Sequence, residues 1–247
     1  MLGSHRRNPL TNSKMRTPAR KTQTRRQHPV ITYSGIHIQK IGGEAGVPTP
    51  ADIAVHYGRI CRFGGAIWDP LLSHCVFVGL LAYKRSGNIF NFIAGLLHDV
   101  AEVATNDVPR PFKCDCLRTE QAAIDERVFA HYLGDNVAHV DFELIKHCDN
   151  DSLDIAAVEL DLPGFTELEL KHTAAYRGRT AIYSDKSDRD LFRWLKMIFG
   201  DYSTVVGLRH VGVKAVKNQL EQCEKGNYCG VELWVRGFVD PLSGSSK

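Results

Sequence analysis

His98 and Asp99 stand side by side at the end of a stretch that is otherwise apolar, and Glu102 follows three residues after Asp99. Imidazoles and carboxylates are the donors that hold a divalent cation where four cysteines are not gathered, and they leave positions for water and substrate. Two more donors of these types lie on neighbouring apolar segments. His74 falls within Leu71 to Lys84, and Asp149 closes the run that begins at Leu144. Two histidines and two carboxylates supplied by three helices would hold one metal ion. Glu102, four residues after His98 and three after Asp99, shares their helix face, which suits a carboxylate that moves or steers a proton. Asp107 comes five residues later. Arg62, Arg110, Lys113 and Lys146 add cations, Lys146 lying three residues before Asp149. Cations gathered near a metal suit a ligand that carries phosphate.

These residues need helices to carry them, and the pattern supplies them. Thr49 as N-cap and Pro50 at the first helical position start a helix that runs to about Cys61. Arg62-Phe63-Gly64-Gly65 breaks it, and a loop reaches Asp69-Pro70. Residues 71–84 are apolar nearly all round, as in a helix buried at the middle of a bundle. Ser86-Gly87-Asn88 separates it from a second apolar helix over 88–104. Pro109 and Pro111 forbid continued helix and impose an extended turn. Further helices are expected at about 117–133, 141–162, 186–199 and 208–223, with a loop-rich linker at 163–184. Val231 to Val235 alternates weakly and reads as a short strand. The expected class is all-α, a helical bundle over 48–162. A mobile basic arm over 1–47 precedes it, and a mainly helical extension over 163–247 follows as a lid or oligomer contact.

The 247 residues, 43% hydrophobic, suffice for one core of ordinary size. Residues 1–43 hold nine Lys or Arg and no Asp or Glu, with little to bury over 1–29, so ordering entropy should leave that stretch mobile. A basic arm can touch nucleic acid. A nucleic-acid-binding protein with a structural metal site is therefore the competing reading from another class, against the arm as a solvated tail. Seven scattered cysteines show neither a disulfide framework nor four-cysteine zinc spacing, which points to a reducing, cytoplasmic setting. No run of eighteen apolar residues exists, so no membrane partner is expected.

The stretch Leu97-His98-Asp99-Val100-Ala101-Glu102-Val103-Ala104-Thr105-Asn106-Asp107-Val108-Pro109-Arg110-Pro111-Phe112-Lys113 resembles the signature of the HD-domain 5′-deoxynucleotidases and the related phage deoxynucleoside triphosphohydrolases. The likeness extends to Ile60 through Gly65 and to Ile145 through Asp149, and covers about residues 50–162. It implies a compact helical bundle with a divalent metal, zinc, cobalt, manganese or magnesium, held by His74, His98, Asp99 and Asp149. It further implies that Glu102 acts on the attacking water and that Asp107 orients the substrate. Arg62, Lys113 and Lys146 would meet phosphate, and Phe63 or Trp68 would flank the base or sugar. The implied substrate is a small deoxynucleotide cut at the α-phosphorus. Arg110 and Lys113 favour a triphosphate such as dATP, with a monophosphate as the alternative. Related enzymes form symmetric assemblies, so a homo-oligomer is expected. One departure stands out: where the family has Glu-His-Ser around the first ligand, this chain has Ser73-His74-Cys75, which removes a carboxylate from behind the metal.

Overall fold

A computed structural model describes residues 30–38, 46–65, 69–159, 186–200 and 206–243. The arm over 1–29, the linker at 163–184 and Trp68 lie outside the described residues. The described fold is helical. Its strands are two residues each, β1 (Val30–Ile31) and β2 (His37–Ile38), paired antiparallel. This hairpin falls inside the segment expected as a mobile arm. It is fastened to the bundle, because the Ser34 backbone N–H and hydroxyl donate to the Asp52 carboxylate at 2.7 and 2.6 Å, and Ile38 is buried.

Helix α1 (Pro50–Tyr57) begins as the sequence predicts. Thr49 accepts from the Asp52 N–H at 3.2 Å, and the Asp52 carboxylate accepts from the Thr49 N–H at 3.0 Å, a reciprocal capping box with proline at the first position. Helix α2 (Leu71–Ser86) is buried from Leu71 to Tyr83 and forms the centre of the molecule. Asn88 caps helix α3 (Ile89–Leu97) by accepting from the Phe90 N–H at 2.9 Å. α2 and α3 make a helical hairpin whose crossing is at Gly79 and Gly95: a Cβ on Gly95 would stand 2.7 Å from the Gly79 Cα. Only glycine allows backbones so close.

The helix expected over 88–104 does not run through. After Leu97 the chain makes tighter bonds between residues three apart, Val100 N–H to the Leu97 carbonyl, Glu102 N–H to the Asp99 carbonyl and Val103 N–H to the Val100 carbonyl. Side chains take over backbone partners here. His98 Nδ1 meets the Gly95 carbonyl at 2.7 Å, and the Ala101 N–H donates to Asp125 at 3.1 Å. A short helix α4 (Glu102–Thr105) follows, then the extended turn through Pro109 and a turn of 3-10 helix at Arg110–Phe112.

Helices α5 (Asp115–Leu133) and α6 (Phe142–Glu159) pack on α3, and α6 also packs on α2. The described part of 163–247 completes the same core. Helix α7 (Lys186–Leu195) lies on α2 and α6, helix α8 (Val206–Glu224) on α1, and helix α9 (Tyr228–Ser243) on α2 and α3. Leu191, Leu195, Val216, Leu220, Val231 and Val235 join the cluster built by α2 and α3. The strand expected at Val231 to Val235 is therefore a helix. Val231, Val235 and Val239 are buried at intervals of four while Leu233 is 73% exposed, and a short window of that period reads as alternation. No helix among the described residues is long and apolar enough to cross a membrane.

Candidate metal centre

His74 projects from the buried middle of α2, His98 and Asp99 from the tight turn after α3, and Asp149 from α6. Donor atoms of His74, His98 and Asp99 lie within 4.8 Å of one another, a cluster that could hold a metal ion. His74 Nε2 is 3.2 Å from His98 Nε2 and 3.4 Å from the Asp99 carboxylate, and His98 Nε2 is 3.1 Å from that carboxylate. The Asp149 carboxylate closes the group at 3.2 Å from His74 and 3.6 Å from His98. Donors about 2.0–2.2 Å from a shared ion lie roughly 3.0–3.6 Å from one another in octahedral or tetrahedral sets. The spacing fits.

The hydrogen bonds behind the imidazoles say which nitrogens face inward bare. The Ser152 hydroxyl donates its one proton to the Asp149 carbonyl at 2.8 Å, so toward His74 Nδ1, 3.0 Å away, it accepts. The Gly95 carbonyl can only accept from His98 Nδ1. In both neutral rings the proton sits on Nδ1, which leaves two Nε2 lone pairs facing each other beside two carboxylates. Such a group calls for positive charge. Accordingly, although burial disfavours a charged imidazole, Asp99 and then Asp149 push the His98 pKa well above its ordinary value. Burial likewise works against the charged forms of Asp99 and Asp149, yet the histidines hold both carboxyls well below the usual range.

Glu102 stands at the edge of this group. Its carboxylate accepts from Lys113 Nζ at 3.2 Å through Oε1, while Oε2 is buried with no partner among the described residues. Burial first, then the charges of Asp99 and Asp107, push its pKa up to about 8 against the pull of Lys113. Asp107 is half-buried; burial raises its carboxyl while Arg62 draws it down, and Asp99 and Lys113 act on it too, so it shares the same field. Arg62 reaches that field from the chain after α1, paired with buried Asp69 at 3.1 Å and lying over the Phe63 ring at 5.1 Å. Arg110, 69% exposed, bonds the outer oxygen of Asp149 at 3.1 Å. Lys146 is exposed on α6, one turn before Asp149. Phe63 is half-buried, and Trp68 cannot be placed because it lies outside the described residues.

Three contributors escaped the sequence reading. Ser152 orients His74, and the Ser73 hydroxyl beside that histidine in sequence is buried without a partner among the described residues. Its place three residues after Asp149, on one helix face, is a signal that could have been used. Asp125 anchors the His98-Asp99 turn through the Ala101 N–H, and burial pushes its pKa to about 7. Lys196 opens a π-helical turn (Lys196–Gly200) at the end of α7 and pairs with Asp69 at 2.7 Å, on the carboxylate that also holds Arg62. No local pattern links 196 to 62 and 69.

Comparison with family models, curated proteins and solved structures found no match to the chain.

Proposed function

We propose that this chain is a metal-dependent phosphohydrolase that cuts 2′-deoxynucleotides at the α-phosphorus, acting on a deoxynucleoside triphosphate and releasing tripolyphosphate. The observation that carries this reading is the pair of bare Nε2 atoms, 3.2 Å apart between two carboxylates, beside a buried Glu102 oxygen that has no protein partner among the described residues. His74, His98, Asp99 and Asp149 hold the ion. When bound, a divalent ion supplies Lewis acidity and a lowered pKa for water at the site. Glu102 Oε2 accepts a proton from, or steers, the attacking water, and its raised pKa suits a group that gains a proton near neutral pH. Lys113 keeps Glu102 in place and, with Arg62 and Arg110, offsets charge on the phosphate oxygens, the main task of the protein in phosphoryl transfer. Lys146 adds a cation at the rim. Asp107 orients the substrate, and Phe63 flanks the base or sugar.

A second reading, a 5′-deoxynucleotidase, has its own support. Arg110 and Lys113 are already engaged by Asp149 and Glu102, which leaves less free positive charge for a triphosphate. A panel of deoxy- and ribonucleotides with manganese, cobalt, zinc or magnesium separates the two. Tripolyphosphate from dATP supports the first reading; inorganic phosphate from dAMP alone supports the second. Glu102→Gln should abolish turnover with the metal retained, and His98→Ala should abolish both. A Glu102→Gln protein with near-full rate would overturn the role given to Glu102, and no hydrolysis across the panel would overturn the function.

A further inference from the structure

Asp69 is buried, and two cations share its carboxylate: Arg62 Nη1 bonds Oδ2 at 3.1 Å and Lys196 Nζ pairs with Oδ1 at 2.7 Å. Arg62 follows α1, whereas Lys196 opens the π-helical turn after α7, so the C-terminal part of the chain reaches the segment that carries Arg62. Both sides of this contact are held in place. The Arg62 N–H donates to the Asp69 carbonyl at 2.9 Å, and just outside it the Leu71 N–H donates to the Ile60 carbonyl at 3.0 Å. Directly after Arg62, Phe63 has a φ of 57°, a left-handed conformation that is costly for a residue other than glycine and persists only where its surroundings enforce it. The ring so placed lies against the Arg62 guanidinium, 5.1 Å from its centroid. On the other side the π-helical turn packs on α2 and α8, where a Cβ on Gly212 would stand 2.6 Å from the Phe199 ring.

Charge decides what Lys196 does in this group. Arg62 alone on Asp69 would form a neutral pair, and a carboxylate with both oxygens open draws a guanidinium into a two-bond fork. With Lys196 on Oδ1, Arg62 is limited to Oδ2, and the three side chains keep one surplus positive charge. The side chains of Arg62 and Lys196 are only 11% and 12% exposed, so salt screens that charge little. It acts on the metal centre's surroundings, since Arg62 pulls on the Asp107 carboxyl, which also feels Asp99.

We propose that Lys196 is a positioning residue for the phosphate site: by occupying one oxygen of Asp69 it keeps Arg62 singly bonded and its charge available to a nucleotide phosphate. The proposal rests on the reading of Arg62 as a phosphate contact, and Lys196 acts only through Asp69 and Arg62. It gives the C-terminal part of the chain a role in the site that it reaches from outside the 48–162 stretch.

The experiment titrates dATP, as its manganese complex, into manganese-loaded full-length protein carrying Glu102→Gln, so that the nucleotide is held rather than cut, and reads binding by calorimetry. Adding Lys196→Met should weaken dATP binding roughly tenfold or more, the size of one charge-assisted hydrogen bond. Lys196→Arg should bind like the parent. In a protein that also carries Arg62→Ala, Lys196→Met should have no further effect. Manganese affinity by chelator competition should be the same with and without Lys196→Met, because a merely structural loss would weaken metal and nucleotide together. Unchanged dATP binding in Lys196→Met, an equal loss in the Arg62→Ala background, or a matching fall in metal affinity would overturn the inference and leave the proposed function standing. A parent protein that bound manganese but no dATP would instead overturn the phosphate site itself, and this inference with it.

Discussion

Replacing Gly95 by alanine should damage the metal centre without touching any ligand. A Cβ at this position would lie 2.7 Å from the Gly79 Cα and 2.9 Å from the Gly79 N, backbone atoms that cannot swing aside as a side chain would. To reach the edge of ordinary contact at 3.4 Å, α2 and α3 must separate by about 0.7 Å. His74 is on α2 and His98 directly follows α3, so the 3.2 Å gap between their Nε2 atoms opens by a comparable amount. Ligand distances in metal sites tolerate only about 0.2 Å. Metal affinity should therefore fall at least tenfold, about the loss seen when a ligand loses its orienting partner. Overpacking costs about 1–3 kcal/mol, against about 1 kcal/mol gained from alanine's better helix propensity. The net loss of up to about 2 kcal/mol should lower Tm by several degrees in a protein of this size. Gly237→Ala is the control, because its Cβ would meet nothing within 4 Å on α9, and it should stabilise by about 0.5–1 kcal/mol. The assays are competition with a fluorescent chelator for zinc or manganese, and thermal melting of the apo protein. If Gly95→Ala bound metal like wild type and melted no lower, the argument that the glycine crossing sets the histidine spacing would be refuted.

Ser152→Ala leaves His74 Nδ1 without its acceptor and should weaken metal binding about 10- to 100-fold with little change in apo melting; unchanged affinity by chelator competition would remove Ser152 from the site. Arg85 bonds buried Asp151 at 2.5 Å and reaches buried Asp188 at 3.5 Å, so Arg85→Met leaves buried carboxylates undercompensated and should cost about 3–5 kcal/mol in urea unfolding at pH 7.5. Burial pushes the Asp151 pKa up to about 6 despite Arg85, above the ordinary carboxylate value. Folding is thus favoured by its protonation, and stability from this group is lost as pH rises through about 6. The Arg85→Met deficit should accordingly shrink between pH 7.5 and pH 5; a deficit that grew on acidification would contradict the assignment.

Much of the bundle was legible because its signals are local. The capping box at Thr49 and Asp52, the prolines at 109 and 111, and the unbroken apolar run of α2 each fix an element through neighbours in the chain. The type and spacing of His98 and Asp99 likewise marked donors of a cluster that could hold a metal ion before any packing was known. Where the sequence reading failed, the deciding contacts were distant. The helix over 88–104 breaks because Asp125 captures the Ala101 N–H, and nothing near Ala101 announces that partner. Val231 to Val235 is a helix because buried valines recur every fourth residue through Val239, a period longer than the window that suggested a strand. The tertiary structure alone placed Lys196 against the aspartate that holds Arg62, and Ser152 behind His74. Residue types and spacing determined which donors the chain offers; only packing at the Gly79 and Gly95 crossing decided that they meet at a distance one ion could bridge.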